Sequence, residues 1–314
     1  MPLLFAYLAV ILIWSSTPLA IQVSQQELPF YTALSLRMWG SAILSIPILM
    51  VIRQSLIFTP MALKSYAAGA VGVYGAMMCV YWGAAFVPSG LISVMYGLSP
   101  MISGVLGYLW LQERELTPAR VIALILAIVG LYVVVSGQLN FGGQAWRGIL
   151  GTLVSVFLFS ISAVFVKHVN AGLHPVVQTS GTLWLSSLGF ALTLPFFGIQ
   201  IPDDVSLMSW AGLAYLMSCG SLLGFFFYFY ILKHLPTARV ALITLIAPVL
   251  AIFWGSLLKG ETWSLDALMG CALMLFSLAL YQWHQMLDSA LQKAIRLLMG
   301  SVGYKRNKFK DKKS

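Results

Sequence analysis

The chain has 314 residues, 60% of them hydrophobic and only 9% charged, against roughly 25% charged in ordinary soluble domains. That balance excludes a soluble enzyme or binding module and describes a polytopic membrane protein. The net charge of +9 does not indicate nucleic acid, because from Gln285 onward eight Lys or Arg face two Asp, which places +6 of it in the tail.

A membrane span needs about 20 mostly apolar residues. Ten segments of this kind are predicted, at 3–22, 30–52, 64–86, 89–111, 118–136, 146–166, 175–197, 208–232, 237–258 and 263–283. The predicted fold is therefore an all-α membrane protein of ten transmembrane helices with short connections. The first segment is expected to remain as a span, since its start, Met1-Pro2-Leu3-Leu4-Phe5, lacks the basic region of a cleavable signal. Lys and Arg accumulate on the cytoplasmic side. With the amino terminus inside, fifteen of the 18 basic residues fall inside, Arg147 and Lys259 outside, and Arg37 within the membrane. Both termini are thus expected in the cytoplasm. Cys79, Cys219 and Cys271 all fall within spans, without the spacing of a metal or redox site.

The segments repeat. Val87-Pro88 is followed by Pro100 and Glu113, and Leu235-Pro236 by Pro248 and Glu261, at the same spacings and 148 residues apart. An interior proline costs a helix about 3 kcal/mol, so two matched ones point to a duplication. Gly72 matches Gly220 at the same offset, while Trp14-Ser15 matches Phe159-Ser160 and Trp39-Gly40-Ser41 matches Trp184-Leu185-Ser186 at an offset of 145. The expected organisation is a first five-helix repeat over 1–137 and a second over 138–284. A tail over 285–314 follows, in which Leu287, Leu291, Ile295 and Leu298 precede a basic run. An odd number of spans per copy inverts the second relative to the first, which is a secondary-transporter architecture. The tail is expected to lie on anionic inner-leaflet lipid.

These features together resemble a ten-helix member of the drug/metabolite transporter superfamily, of the EamA type. The resemblance rests on Trp14-Ser15-Ser16-Thr17-Pro18, Leu36-Arg37, the stretch from Leu98-Ser99-Pro100 to Gln112-Glu113, and its echo from Ala247-Pro248 to Gly260-Glu261. It implies transport of a small metabolite, including amino acids, with export more usual than import. Thr182 stands where the second copy would match Arg37, so any role of that arginine is asymmetric.

A transport cavity needs polar or aromatic groups near the midplane, with irregular backbone only where it lines that cavity. Pro100 and Pro248 are predicted helix kinks, freeing the carbonyls of Tyr96 and Thr244. Those carbonyls, with the hydroxyls of Ser93, Ser99 and Thr244, are candidate substrate contacts. Ser15 and its match Ser160, the deep aromatics Trp14, Trp39, Tyr81 and Trp184, and Tyr228 complete the set. Arg37 lies seven residues inside Phe30, or about 10 Å of helix. Three roles fit it: binding a substrate carboxylate, pairing with Glu261 as an outer gate, or snorkelling to the surface. Glu113 and Glu261 end matched helices on opposite sides, as solvated structural ends or as a symmetric gate.

No Asp or Glu occupies the middle of any predicted span, which argues against exchange of a proton on an intramembrane carboxylate. Intramembrane catalysis would need clustered His, Asp or Cys, whereas His168, His174, His234 and His284 fall in connections or at the end of the last span. The reading is a transporter, not an enzyme, with no cofactor or metal, in a bacterial inner membrane. Its expected partners are a small-molecule substrate and membrane lipid, and monomer and homodimer are both compatible. A lipid-carrier flippase is the nearest alternative, and a membrane scaffold or receptor is the alternative from another class.

Overall fold

Apolar stretches of this length must satisfy their backbone internally, and in the computed structural model every regular element among the described residues, 3–111, 117–138, 144–234 and 243–285, is a helix. Helices α1 (Leu3–Ser24) and α2 (Phe30–Val51) open the chain. The third segment runs as α3 (Pro60–Ala70), a π-helical stretch (Val71–Ala76) and α4 (Met77–Gly83). The fourth is split into α5 (Ser89–Tyr96) and α6 (Ser99–Leu111). Helices α7 (Pro118–Gln138), α8 (Ala145–Val169) and α9 (Pro175–Phe197) follow, then α10 (Leu207–Tyr215), a second π-helical stretch (Leu216–Leu223) and α11 (Gly224–His234). The described chain ends with α12 (Ile243–Lys259) and α13 (Leu265–Gln282). Glu113 and the chain beyond 285 lie outside the described residues.

Helix starts are set by residues the sequence supplies locally. Thr59, Ser206 and Ser264 each accept a backbone N–H of the first turn, and Pro60 and Pro175 occupy first-turn positions where the missing donor costs nothing. Seven helical stretches are long and apolar enough to cross a membrane, and Pro118–Val134 and Ile243–Lys259 are shorter apolar helices.

The two matched prolines behave differently. At the first, the helix breaks at Gly97–Leu98, where the Gly97 N–H is shared between the Ser93 and Val94 carbonyls. A Cβ on Gly97 would sit 2.8 Å from the Val94 oxygen, so glycine permits this tight turn. At the second, Leu245 occupies the matching position and Pro248 lies inside the unbroken α12. The predicted pair of kinks is therefore one break and one continuous helix.

Packing interleaves the two halves. Helix α1 lies against α10, α11 and α12, while α8 lies against α3, α4, α6 and the first π stretch. Helix α2 pairs with α9, α5 with α12, and α7 with α13. The α7–α13 pair meets backbone to backbone: a Cβ on Gly270 would stand 2.7 Å from the Val134 nitrogen and 2.8 Å from the Gly130 oxygen.

Candidate functional site

Arg37 lies two turns inside α2 and is only 2% exposed. Its Nε donates to Ser221 Oγ at 2.9 Å and its Nη1 donates to Tyr81 Oη at 3.2 Å. Ser221 belongs to the second π stretch, and Tyr81, fully buried, belongs to α4. A Cβ on Gly220 would stand 3.4 Å from Nη2, so glycine lets the π stretch approach the guanidinium. No carboxylate lies within 4 Å of the guanidinium among the described residues. A guanidinium carries five N–H donors, and two are used here. This is a desolvated cation held by neutral hydroxyls, and three donors remain without a partner among the described residues.

The surrounding polar groups extend this arrangement. Gln25 Nε2 donates to the Tyr81 carbonyl at 3.1 Å, and Ser41 Oγ donates to the Arg37 and Met217 carbonyls at 2.7 and 3.0 Å. Ser16 and Tyr215 hydroxyls lie 2.6 Å apart. Arg37 does not snorkel, and in this conformation it is not paired with Glu261.

A second polar group forms where α8 meets α5 and α6. Tyr96 Oη and Ser155 Oγ are 2.6 Å apart, and Ser155 Oγ also reaches the Ala76 carbonyl at 2.6 Å. Ser99 and Ser160 hydroxyls are 3.1 Å apart, and Ser93 is buried about one turn before Tyr96. On the facing side, Trp254 Nε1 donates to Ser15 Oγ at 3.3 Å. Trp14 and Tyr228 rings lie 4.8 Å apart. Thr244 places its carbonyl 3.6 Å from where a Gly97 Cβ would be.

Two tryptophans predicted as substrate contacts do other things. Trp39 Nε1 donates to the Ser187 carbonyl at 3.0 Å, locking α2 to α9. Trp184 is 40% exposed and shares an outward line with Leu188 and Leu192 at helical spacing, so it faces away from the polar interior.

At the α1 carboxyl end, Gln22 joins three elements. Its Nε2 donates to the Ala84 and Val87 carbonyls at 3.0 and 2.7 Å, and its Oε1 accepts from Lys259 Nζ at 2.5 Å. The carboxylates here hold helix starts, where the dipole favours them. Glu261 accepts the Ser89 and Gly90 N–H groups at 2.8 and 3.5 Å at the start of α5. Glu27 accepts the Ser206 and Ser209 hydroxyls at the start of α10. A cavity of about 590 Å³ opens to the surface at this end and forms a mouth, lined among others by Gln22, Gln25, Gln26, Phe86, Lys259 and Glu261. A separate apolar groove of about 390 Å³ runs between the third segment and α9, lined by Ala67, Tyr74, Gly75, Ser186 and Gly189.

Sequence reasoning missed Gln22, Gln25, Ser41, Ser221 and Lys259. The only signals were three glutamines, Gln22, Gln25 and Gln26, closing an apolar helix, and Gly220-Ser221 within another.

A profile described as the EamA-like transporter family matches residues 1–136 and 146–282. The chain is 23% identical over 287 residues to the inner membrane transporter YedA of Escherichia coli K12, covering 89% of this chain and 90% of that protein. It is 23% identical over 289 residues to a protein of Salmonella typhimurium named as a probable amino-acid metabolite efflux pump, covering 87% and 92%. A crystal structure with 18% sequence identity superposes with a TM-score of 0.63, covering 89% of this chain and 96% of its own, which is a likeness of fold.

Proposed function

The chain belongs to the EamA-like transporter family, and we propose that it exports a small carboxylate-bearing metabolite, such as an amino acid, across a bacterial inner membrane by alternating access. The observation that carries this reading is Arg37: a buried guanidinium held by two hydroxyls and by no carboxylate among the described residues. A buried cation normally finds a counter-charge, and a substrate carboxylate supplies one. The names of the YedA and Salmonella relatives support the membrane and the substrate class.

The reading assumes ten spans as two inverted five-helix repeats, 1–137 and 138–284, with both termini and the 285–314 tail in the cytoplasm. It is supported by the reciprocal packing of α1 on the second half and α8 on the first. Further support comes from π stretches containing Gly72 and Gly220, 148 residues apart. On this reading Tyr96, Ser99, Ser160, Ser15, Trp14, Tyr228 and Thr244 line the path between the halves.

The test is counterflow of radiolabelled amino acids in proteoliposomes. Arg37→Gln is expected to abolish saturable exchange while membrane abundance stays intact; unchanged exchange would remove Arg37 from the path. The apolar groove beside α9 favours a second reading, a lipid-carrier flippase. Under it, lipid scrambling would persist in Arg37→Gln and fail when Gly189→Leu fills the groove.

A further inference from the structure

We propose that the mouth cavity is a binding site of its own, selective for zwitterions that carry both an ammonium and a carboxylate. It rests on the transport reading above and names the substrate class that would pass from this mouth to Arg37.

Lys259 and Glu261 flank Gly260, whose φ of +66° turns the chain sharply enough to send them apart. Lys259 reaches Gln22 on α1, and Glu261 reaches the start of α5. Although two residues apart and opposite in charge, they form no ion pair within 4 Å, yet both line the same cavity. Each retains capacity. An ammonium has three donors and a carboxylate about four acceptor positions, of which Lys259 uses one and Glu261 two. The cavity, at about 590 Å³, has the size of ordinary small-molecule sites.

A zwitterion entering such a cavity loses part of its hydration at both ends, and each end meets an opposite charge. Its carboxylate faces Lys259, its ammonium faces Glu261, and the Gln25 and Gln26 amides lie beside them. The Phe86-Val87-Pro88 wall meets an apolar side chain. An anion lacking the ammonium is repelled by Glu261, and a cation lacking the carboxylate by Lys259. Tyr81 links the site to the buried cation, since its carbonyl accepts from Gln25 and its hydroxyl accepts from Arg37.

The test uses the full chain in nanodiscs with Cys79, Cys219 and Cys271 replaced by serine and Ala85→Cys, an exposed position lining the cavity, as a reporter. The rate of maleimide labelling is read with each common L-amino acid at millimolar concentration, and with N-acetyl and methyl-ester derivatives. At least one zwitterion is expected to slow labelling several-fold and its singly charged derivatives much less. Lys259→Met and Glu261→Gln should each abolish protection, while Lys259→Arg retains it. Glutamine still offers an oxygen to the Ser89 N–H, and size-exclusion profiles confirm folding. No protection by any amino acid, equal protection by the derivatives, or protection surviving in both variants overturns the proposal. Arg37→Gln separates it from the transport reading. Lost exchange in Arg37→Gln, with no protection in the reporter chain, sinks the mouth site alone. Persistent protection alongside unaltered exchange in Arg37→Gln sinks the role of Arg37 and leaves the mouth site standing.

Discussion

Replacing Gln22 with alanine tests whether its amide holds the mouth closed. The side chain is 7% exposed and donates to the Ala84 and Val87 carbonyls. Each buried neutral hydrogen bond is worth about 1 kcal/mol net, so their joint loss removes about 2 kcal/mol. The contact with exposed Lys259 is largely replaced by water and adds little. At about 1.4 kcal/mol per factor of ten, the open fraction of the mouth should rise roughly thirtyfold. The assay places a cysteine at Ser93, buried one turn into α5 beneath the mouth, with the native cysteines replaced by serine. Labelling by a membrane-impermeant reagent added on the side of the mouth should accelerate by that factor. Gln22→Glu should open the mouth comparably, because a carboxylate keeps the Lys259 contact but has no N–H for the two carbonyls. An unchanged labelling rate in both variants would show that the mouth is held by something other than this amide.

Ser221→Ala and Tyr81→Phe each add one guanidinium donor to the three that already lack a partner among the described residues. Each is expected to lower the half-saturation concentration in counterflow by about fivefold, the equivalent of about 1 kcal/mol. Gly270→Leu should deplete folded protein in thermal size-exclusion assays, since even its Cβ would meet immovable backbone at 2.7 Å, whereas Gly75→Ala, with its nearest neighbour at 3.4 Å, should be tolerated. Trp184→Ala on the outward face should leave exchange unchanged, while Trp14→Ala, which removes the ring packed 4.8 Å from Tyr228, should reduce it.

The helical segments were legible because apolar length is a property of each stretch by itself. The predicted 175–197 and 30–52 correspond to Pro175–Phe197 and Phe30–Val51. Arg37 was legible as a candidate for the same reason, since a charge among apolar residues stands out without knowledge of its neighbours. Its partners were not, because Ser221 and Tyr81 lie 184 and 44 residues away and ordinary serines and tyrosines give no sign of which helix they face. Trp184 illustrates the converse: matching a deep tryptophan by repeat position says nothing about rotation around the helix axis. The π stretches left no periodic signal, and the differing behaviour of Pro100 and Pro248 turned on Gly97 against Leu245, one position outside the motif.

A π turn holds one residue more than the α turn it replaces. Were the stretch around Gly220 to relax to α-helical winding, everything beyond it would rotate by about 100°, the angle per residue of an α-helix. Ser221 would then swing off the guanidinium, and the aromatic run Phe225 to Tyr230 would present a different face to α1. The hydroxyl that Arg37 grips thus reports the winding of its own helix, and any rewinding there is felt at the guanidinium.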